Sequence, residues 1–279
     1  MFKIKDKRQL NAATALIVVD APLVAKKAQP GQFVILRVDS NGERLPFTIT
    51  DFDAEAGTIT LIFKTVGAGT LRLNKLVAGG FITDVVGPLG VPKQVTGFKR
   101  VAVVGGDNGC ASAYIFAKML KQSGCSIDTI IGFKTAEEVI LAQEFKALSD
   151  NFYLLTDDGS AGKKGVVTDI LKNLLDQGNV YDQIIDFGHL TMMKNVCDLT
   201  KKYGIKTIVS MAPIMLDGTG MCGSCRLTVN GQVKYACVDG PDFDGFTVDF
   251  DEAIKRNTIY KEQEHKAYER ACRLFKEDK

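Results

Sequence analysis

The chain has 279 residues, 46% hydrophobic and 24% charged, which suits a soluble globular protein with room for two domains or for one large domain and an appendage. Its 35 Lys and Arg stand against 33 Asp and Glu, interspersed rather than blocked, so the net charge of +2 speaks against a nucleic-acid or anionic-membrane partner. The N-terminus shows neither the apolar core nor the cleavage site of a secretory signal, and no apolar run approaches the roughly 20 residues of a membrane span; a cytoplasmic chain is expected, whose 7 cysteines are poor disulfide candidates.

Over the first hundred residues, short β-branched runs alternate with turns: ATALIVVDAP, QFVILRVDSNGE, PFTITDFD, GTITLIFKTVGAGT and GFITDVVGPLG. Breaks at Gly and Pro, with no helical period, predict a small antiparallel β-barrel or sandwich over residues 1–98. The pair Asn41-Gly42 signals a tight turn within it.

At Arg100 the rhythm changes. RVAVVGG reads as a buried strand, and CASAYIFAKMLKQSG as a helix with Ala113, Phe116, Ala117 and Leu120 on one face. SIDTIIGF is a second strand, after which Thr135 and Glu138 form a capping box ahead of a helix VILAQEFKAL. NFYLLTD, GVVTDILKNLLDQG, QIIDFG, TMMKNVCDLTKKYG and IKTIVSM continue the alternation of strand and helix. Residues 99–211 therefore read as an α/β nucleotide-binding domain, its parallel sheet covered by helices on both faces.

Residues 212–248 are rich in Gly, Asp and Cys, as expected where a metal centre organises the chain. Residues 249–279 form a charged tail with apolar Ala253, Ile254, Ile259, Tyr260, Ala267, Ala271 and Leu274, expected to be helical.

Cys222 and Cys225 make a CxxC, and the hairpin RLTVNGQVKYA, turning at Asn230-Gly231, brings Cys237 back toward them. A fourth ligand at the spacing of plant-type 2Fe-2S proteins lies five positions before Cys222, and that residue is Asp217. Gly218, Thr219, Gly220 and Gly223 suit a loop whose amides turn inward. Zinc held by three cysteines and one aspartate is the alternative, and Cys110, Cys125, Cys197 and Cys272 read as buried thiols.

Taken together, RLPFT, GAGT, DVVGPLG, TDDGS, MMK, DGTGMCGSC and YACVDGPDFDG resemble the small subunit of NADH-dependent reduced ferredoxin:NADP oxidoreductase. They also resemble sulfide dehydrogenase and the electron-transfer subunit of dihydroorotate dehydrogenase B, and the resemblance covers nearly the whole chain. It implies a ferredoxin-reductase-like FAD barrel, a pyridine-nucleotide domain and a small 2Fe-2S domain. Cysteine stands at the position of Asp217 in the dihydroorotate branch and aspartate in the transhydrogenase branch, so this chain sides with the latter.

On that resemblance, Arg44 pairs with FAD phosphate, Pro46 and Phe47 belong to the same flavin motif, and Thr48 sits near the flavin N5 as the catalytic position. Gly67 and Gly69 let the backbone approach the pyrophosphate, with Thr70 donating. Gly105 and Gly106 open the nucleotide loop, and Asp157 of the Asp157-Asp158 pair suits a ribose, favouring NADH over NADPH.

Three departures stand out. Asp107 occupies a glycine position and Ser112 a proline position in GGDNGCAS, and His189 replaces the proline of a GPxxMM pattern. A carboxylate at 107 is expected to cap the helix and compete with phosphate.

The resulting expectation is an FAD- and 2Fe-2S-containing electron-transfer subunit that passes electrons between NADH and a larger partner. The resemblance implies that this partner is like the small subunit of glutamate synthase, with FAD and 4Fe-4S clusters, in a complex that bifurcates electrons. The rivals are a dihydroorotate dehydrogenase subunit, a relay that does not bind NADH, and a zinc-stabilised nucleotide-binding regulator.

Overall fold

The computed structural model describes residues 1–277, and side chains as far as Arg273; Leu274 lies outside the described side chains. The N-terminal unit runs β1 (Phe2–Gln9), β2 (Thr14–Asp20), α1 (Pro22–Ala25), β3 (Phe33–Arg37), β4 (Arg44–Thr48), β5 (Asp51–Asp53), β6 (Thr58–Lys64), α2 (Ala68–Lys75), β7 (Phe81–Ile82) and β8 (Asp84–Leu89). Its ladders form two antiparallel sheets, β5-β6-β2-β1-β7 and β4-β3-β8. Both feed one core, in which Ile17, Ile59 and Leu61 of the larger sheet meet Val34 and Leu36 of the smaller. Leu45 and Phe47 pack on that core, so the strand pleat turns Arg44, Pro46 and Thr48 to the opposite face of β4.

The second unit runs β9 (Arg100–Gly106), α3 (Gly109–Gln122), β10 (Ser126–Phe133), α4 (Ala142–Leu148), β11 (Asn151–Thr156), β12 (Lys163–Lys164), α5 (Val167–Asp176), β13 (Gln183–Phe187), α6 (Leu190–Lys202) and β14 (Thr207–Ser210). Along β9, Val101 and Val103 join the core under α3 and α4, while Ala102 and Val104 join the core under α5 and α6. A strand buried on both faces must be apolar throughout, which is why RVAVVGG shows no alternation.

The last part comprises β15 (Arg226–Val229), β16 (Gln232–Tyr235), α7 (Ala236–Asp239), β17 (Asp242–Asp244), α8 (Phe250–Arg256) and α9 (Lys261–Glu277). The β15–β16 hairpin turns at Asn230 (φ 51°) and Gly231 (φ 71°), the two positive φ values that a tight two-residue hairpin turn demands. Strand β17 returns to pair antiparallel with β14, giving a sheet ordered β12-β11-β10-β9-β13-β14-β17. The boundary expected at residue 212 is thus crossed by a strand pairing. From β9 the chain steps to β10 on one side and later to β13 on the other, so the strand order reverses at β9, where α/β sheets open a crevice beyond their carboxyl ends.

The capping box expected at Thr135 does not form. Glu138 reaches across to Lys64, 3.8 Å away, and only a short 3-10 turn, Ala136–Glu138, precedes an extended Val139. Ile140 is buried against the α3 side and Leu141 takes φ 56°, so α4 begins only at Ala142. The tail is helical as expected but breaks between α8 and α9, with α9 beside α2.

Asp186, on β13, is fully buried, and among the described residues neither carboxylate oxygen makes a well-formed hydrogen bond. Burial pushes its carboxyl well above the usual range, and the Phe187 amide offsets only part of that. A group bound more tightly to its proton in the folded state loses stability as pH rises from the unfolded value of about 4. Asp186→Val is therefore expected to stabilise the protein by about 1–3 kcal/mol at neutral pH and by less near pH 4, read as the pH dependence of the urea midpoint.

Candidate functional site

The outward face of β4 meets the N-terminus of α3 and the ends of β13 and β14 around a cleft of about 400 Å³ lined by Pro46, Thr48, Ser112, Gly188, Ser210 and Pro213, among others. Thr48 Oγ1 accepts a hydrogen bond from Ser112 Oγ at 3.0 Å, tying the first unit to the second across this cleft. Arg44, two pleats along on the same face, is exposed and has no ion-pair or hydrogen-bond partner among the described residues. Phe47 also borders the cleft, but its ring lies 5.6 Å from that of Phe63 in the core.

Gly67 caps α2 in an extended conformation, and a side chain there would meet nothing within 4 Å. At Gly69 a Cβ would fall 2.6 Å from Glu43 Oε2 and 2.8 Å from Leu45 Cδ2, so this glycine lets α2 sit on the loop entering β4. The Thr70 hydroxyl is not available to a ligand. It accepts from the Val66 and Gly67 amides at 3.0 and 2.9 Å and donates to Gly67 O at 3.0 Å. The donors this turn can offer an anion are instead the first-turn amides of α2.

At the reversal point, Gly105 and Gly106 end β9 and Asp107 follows with φ 48°. A Cβ on Gly106 would stand 2.4 Å from Met192 Sδ, and one on Gly105 3.0 Å from Cys110 Sγ. Asp107 does not cap α3, whose N-terminal flank is Asn108 with no side-chain cap. Its carboxylate accepts from Lys64 Nζ at 3.1 Å on both oxygens and lies 3.4 Å from His189 Nε2. Burial pushes that carboxyl upward, yet the His189 and Lys64 hydrogen bonds outweigh it and leave Asp107 below its ordinary value. Gly106 and His189 also line a second cleft, of about 180 Å³, which extends past Gly132 and Val166 to Asp157. Asp157 is exposed at its rim, with its amide bonded to Phe133 O at 3.0 Å.

The cysteine loop is only partly gathered. Cys225 and Cys237 are buried with their sulfurs 3.2 Å apart, whereas Cys222 is exposed and its sulfur lies 3.1 Å from Ser224 Oγ. Both Asp217 oxygens accept backbone amides, from Thr219 at 2.8 Å and Cys222 at 2.9 Å. The Thr219 amide, and then that of Cys222, hold the Asp217 carboxyl below its usual range. Burial and the adjacent Cys225 thiol push Cys237 up to about 12, a protonated state that a bound cation would reverse. Among the described residues, no three of these donors close on one metal position.

The loop backbone nonetheless fits a metal cradle. Gly218, Gly220 and Gly223 all take positive φ (77°, 84° and 67°), and a Cβ on Gly218 would strike Ile35 Cδ1 at 2.6 Å and Leu89 Cδ1 at 2.8 Å. Asp217 and the three cysteines are the residues that would hold a cluster there. Of the other thiols, Cys110, Cys125 and Cys197 are buried as expected, while Cys272 is only partly so.

Sequence reading missed Lys64, which closes an otherwise uncharged strand, and the bridge from Ser112 to Thr48. Only the change of residue type at 112 could have hinted at the bridge.

Residues 212–249 match the model of the iron-sulfur cluster binding domain of dihydroorotate dehydrogenase B. The chain is 46% identical, over 252 residues, to a Thermotoga maritima homologue of the dihydroorotate dehydrogenase B (NAD(+)) electron transfer subunit, covering 90% of this chain and 89% of that one. It is 34% identical to the electron transfer subunit of that enzyme from Shouchella clausii, covering 81% and 89%. A solved structure of NADH-dependent reduced ferredoxin-NADP oxidoreductase, described for flavin-based electron bifurcation, superposes with a TM-score of 0.91 at 42% identity, covering 97% of each chain.

Proposed function

The chain belongs to the family of dihydroorotate dehydrogenase B electron-transfer subunits and their homologues, and on that premise we propose that it is a flavin- and iron-sulfur-containing electron-transfer subunit of an NAD(P)H-dependent oxidoreductase complex. A flavin exchanges a hydride with a nicotinamide and passes electrons on singly, and an iron-sulfur cluster carries one electron at a time. The chain's own residues supply the rest. Arg44, whose guanidinium is unpaired among the described residues, would bind an FAD phosphate, the first-turn amides of α2 would receive its pyrophosphate, and Thr48 would orient its ring edge. Gly105, Gly106 and Asp157 border the path of NADH, and Asp217, Cys222, Cys225 and Cys237 would hold a 2Fe-2S cluster. The two N-terminal sheets then serve as the flavin barrel.

One observation carries this reading: the cleft and the cysteine loop share a wall. Pro213 and Met215 line the cleft a few residues before Asp217, and Gly218 packs on Ile35 of β3, the strand paired with the one bearing Thr48. A flavin in the cleft and a cluster held by the cysteine loop would therefore be separated only by packed protein. Beyond them, Met221 (89% exposed) and Leu216 (54% exposed) give the loop an apolar outer surface suited to a larger partner subunit. We take that partner to resemble the small subunit of glutamate synthase.

Purified anaerobically, the full chain is expected to carry flavin and iron, and NADH is expected to bleach the flavin promptly. Absence of both flavin and iron overturns the proposal, and zinc in place of iron favours the nucleotide-binding regulator. The partner that copurifies separates the transhydrogenase branch from the dihydroorotate branch.

A further inference from the structure

Asp107 and His189 are more than two local changes in separate loops. One follows β9 and the other follows β13, the two strands flanking the reversal point, and their side chains meet at 3.4 Å. Lys64, from the end of β6 in the other unit, completes the contact at 3.1 Å. The three groups stand where the two clefts join, because Gly106 and His189 line both. A ligand reaching from Asp157 in the smaller cleft to Thr48 in the larger must pass this point.

The contact is strained and poorly hydrated on its anionic side. Asp107 adopts φ 48°, a left-handed conformation that disfavours residues with a Cβ, and its side chain is 17% exposed against 70% for His189. The groups facing it are the Lys64 ammonium and the His189 imidazole, with Glu138 3.8 Å from Lys64 and the buried Cys110 thiol behind. Asp107 is thus the anion that the Lys64 ammonium and the His189 imidazole, from different elements, already hold, beside the start of α3, whose N-terminal flank Asn108 makes no side-chain cap.

We propose that Asp107 is a built-in competitor: its carboxylate occupies the anion position spanned by Lys64 and His189, and a dinucleotide binds by displacing it so that its pyrophosphate takes over both partners. This rests on the reading that the two clefts receive a nicotinamide dinucleotide. Lys64 then changes partner from carboxylate to pyrophosphate, and Glu138 stays beside it in either state. The device sets affinity and leaves the reacting atoms alone, so Asp107 is a positioning residue.

The test uses the flavin-loaded full chain and three probes: NADH, ADP-ribose, which has the pyrophosphate, and AMP, which lacks it. Asp107→Asn keeps the side-chain shape and tolerates positive φ while removing the charge; Asp107→Gly also removes the strain. Both variants are expected to bind NADH and ADP-ribose about tenfold more tightly, equivalent to about 1.4 kcal/mol, with AMP unchanged. Lys64→Met in the Asp107→Asn background is expected to reverse that gain.

If Asp107→Asn binds all three probes as the native chain does, the competitor is overturned while the dinucleotide reading stands. A gain confined to Asp107→Gly also overturns it, since strain and not charge would then govern affinity. If neither native nor variant protein binds NADH or ADP-ribose, both the competitor and the dinucleotide reading fall.

Discussion

Cys225→Ala is expected to strip the protein of iron while leaving NADH able to reduce the flavin. Cys225 is 1% exposed and its sulfur lies 3.2 Å from that of Cys237, so these two thiols form the half of the donor set that the fold already gathers. Losing one leaves a two-thiol, one-carboxylate set with no further cysteine in residues 212–248, and thiolate is the ligand on which a cluster depends most. No cysteine lines the cleft at Thr48, which therefore keeps its lining. Electron delivery from NADH to a one-electron acceptor should therefore fall by at least about 100-fold, or about 2.7 kcal/mol of barrier, while flavin bleaching by NADH changes little. Equal loss of both rates would show that the cysteine loop only props up the cleft.

Asp217→Cys supplies the contrast, because it exchanges an oxygen donor for sulfur at constant spacing. Iron should be retained and the electron paramagnetic resonance signal of the reduced centre should move. An unchanged signal would leave Asp217 as a loop residue whose work ends with the Thr219 and Cys222 amides.

Local chemistry was legible wherever one face or one turn dictates the residue. β9 announces itself because both its faces are buried, and the β15–β16 turn because Asn230-Gly231 accepts positive φ. β1 was not legible: in FKIKDKRQ only Ile4 is buried, and alternating charges hide a strand that sits inside its sheet. The residues of the site were readable one by one, but their partners were not. Asp107 looked like a helix cap because capping is a local rule. Its actual partners, Lys64 and His189, lie 43 residues before it on another unit and, after it, past the end of β13, distances that no sequence window spans. The Thr70 hydroxyl shows the same effect at short range, since a residue suited to donate to a ligand is consumed by its own loop.

Gly109→Ala is expected to be the most damaging small substitution at the reversal point, and the reason is steric. A Cβ there would lie 2.2 Å from Phe187 O, 2.4 Å from Phe187 C and 2.7 Å from Gly188 N. All three are backbone atoms of β13 and its exit, so no side-chain rotation relieves the clash. Gly109 does not have a positive φ, so the requirement is close approach alone. Relief requires α3 to move away from β13, and α3 carries Phe116, whose ring centroid is 4.9 Å from that of Phe187, as well as Ser112, which holds Thr48. The shift therefore opens the core under α3 and loosens the tie across the cleft together. A cost of about 3 kcal/mol is expected, lowering Tm by roughly 6–12 °C for a chain of this size, and the affinity for flavin should fall with it. Gly67→Ala is the control, because a Cβ there meets nothing within 4 Å and its φ of −143° suits any residue. It should leave Tm unchanged and weaken flavin binding only if the phosphate groups approach that turn. Equal Tm for both variants would mean that α3 can slide along β13 without cost, and that the glycine after Asn108 serves the ligand instead of the fold.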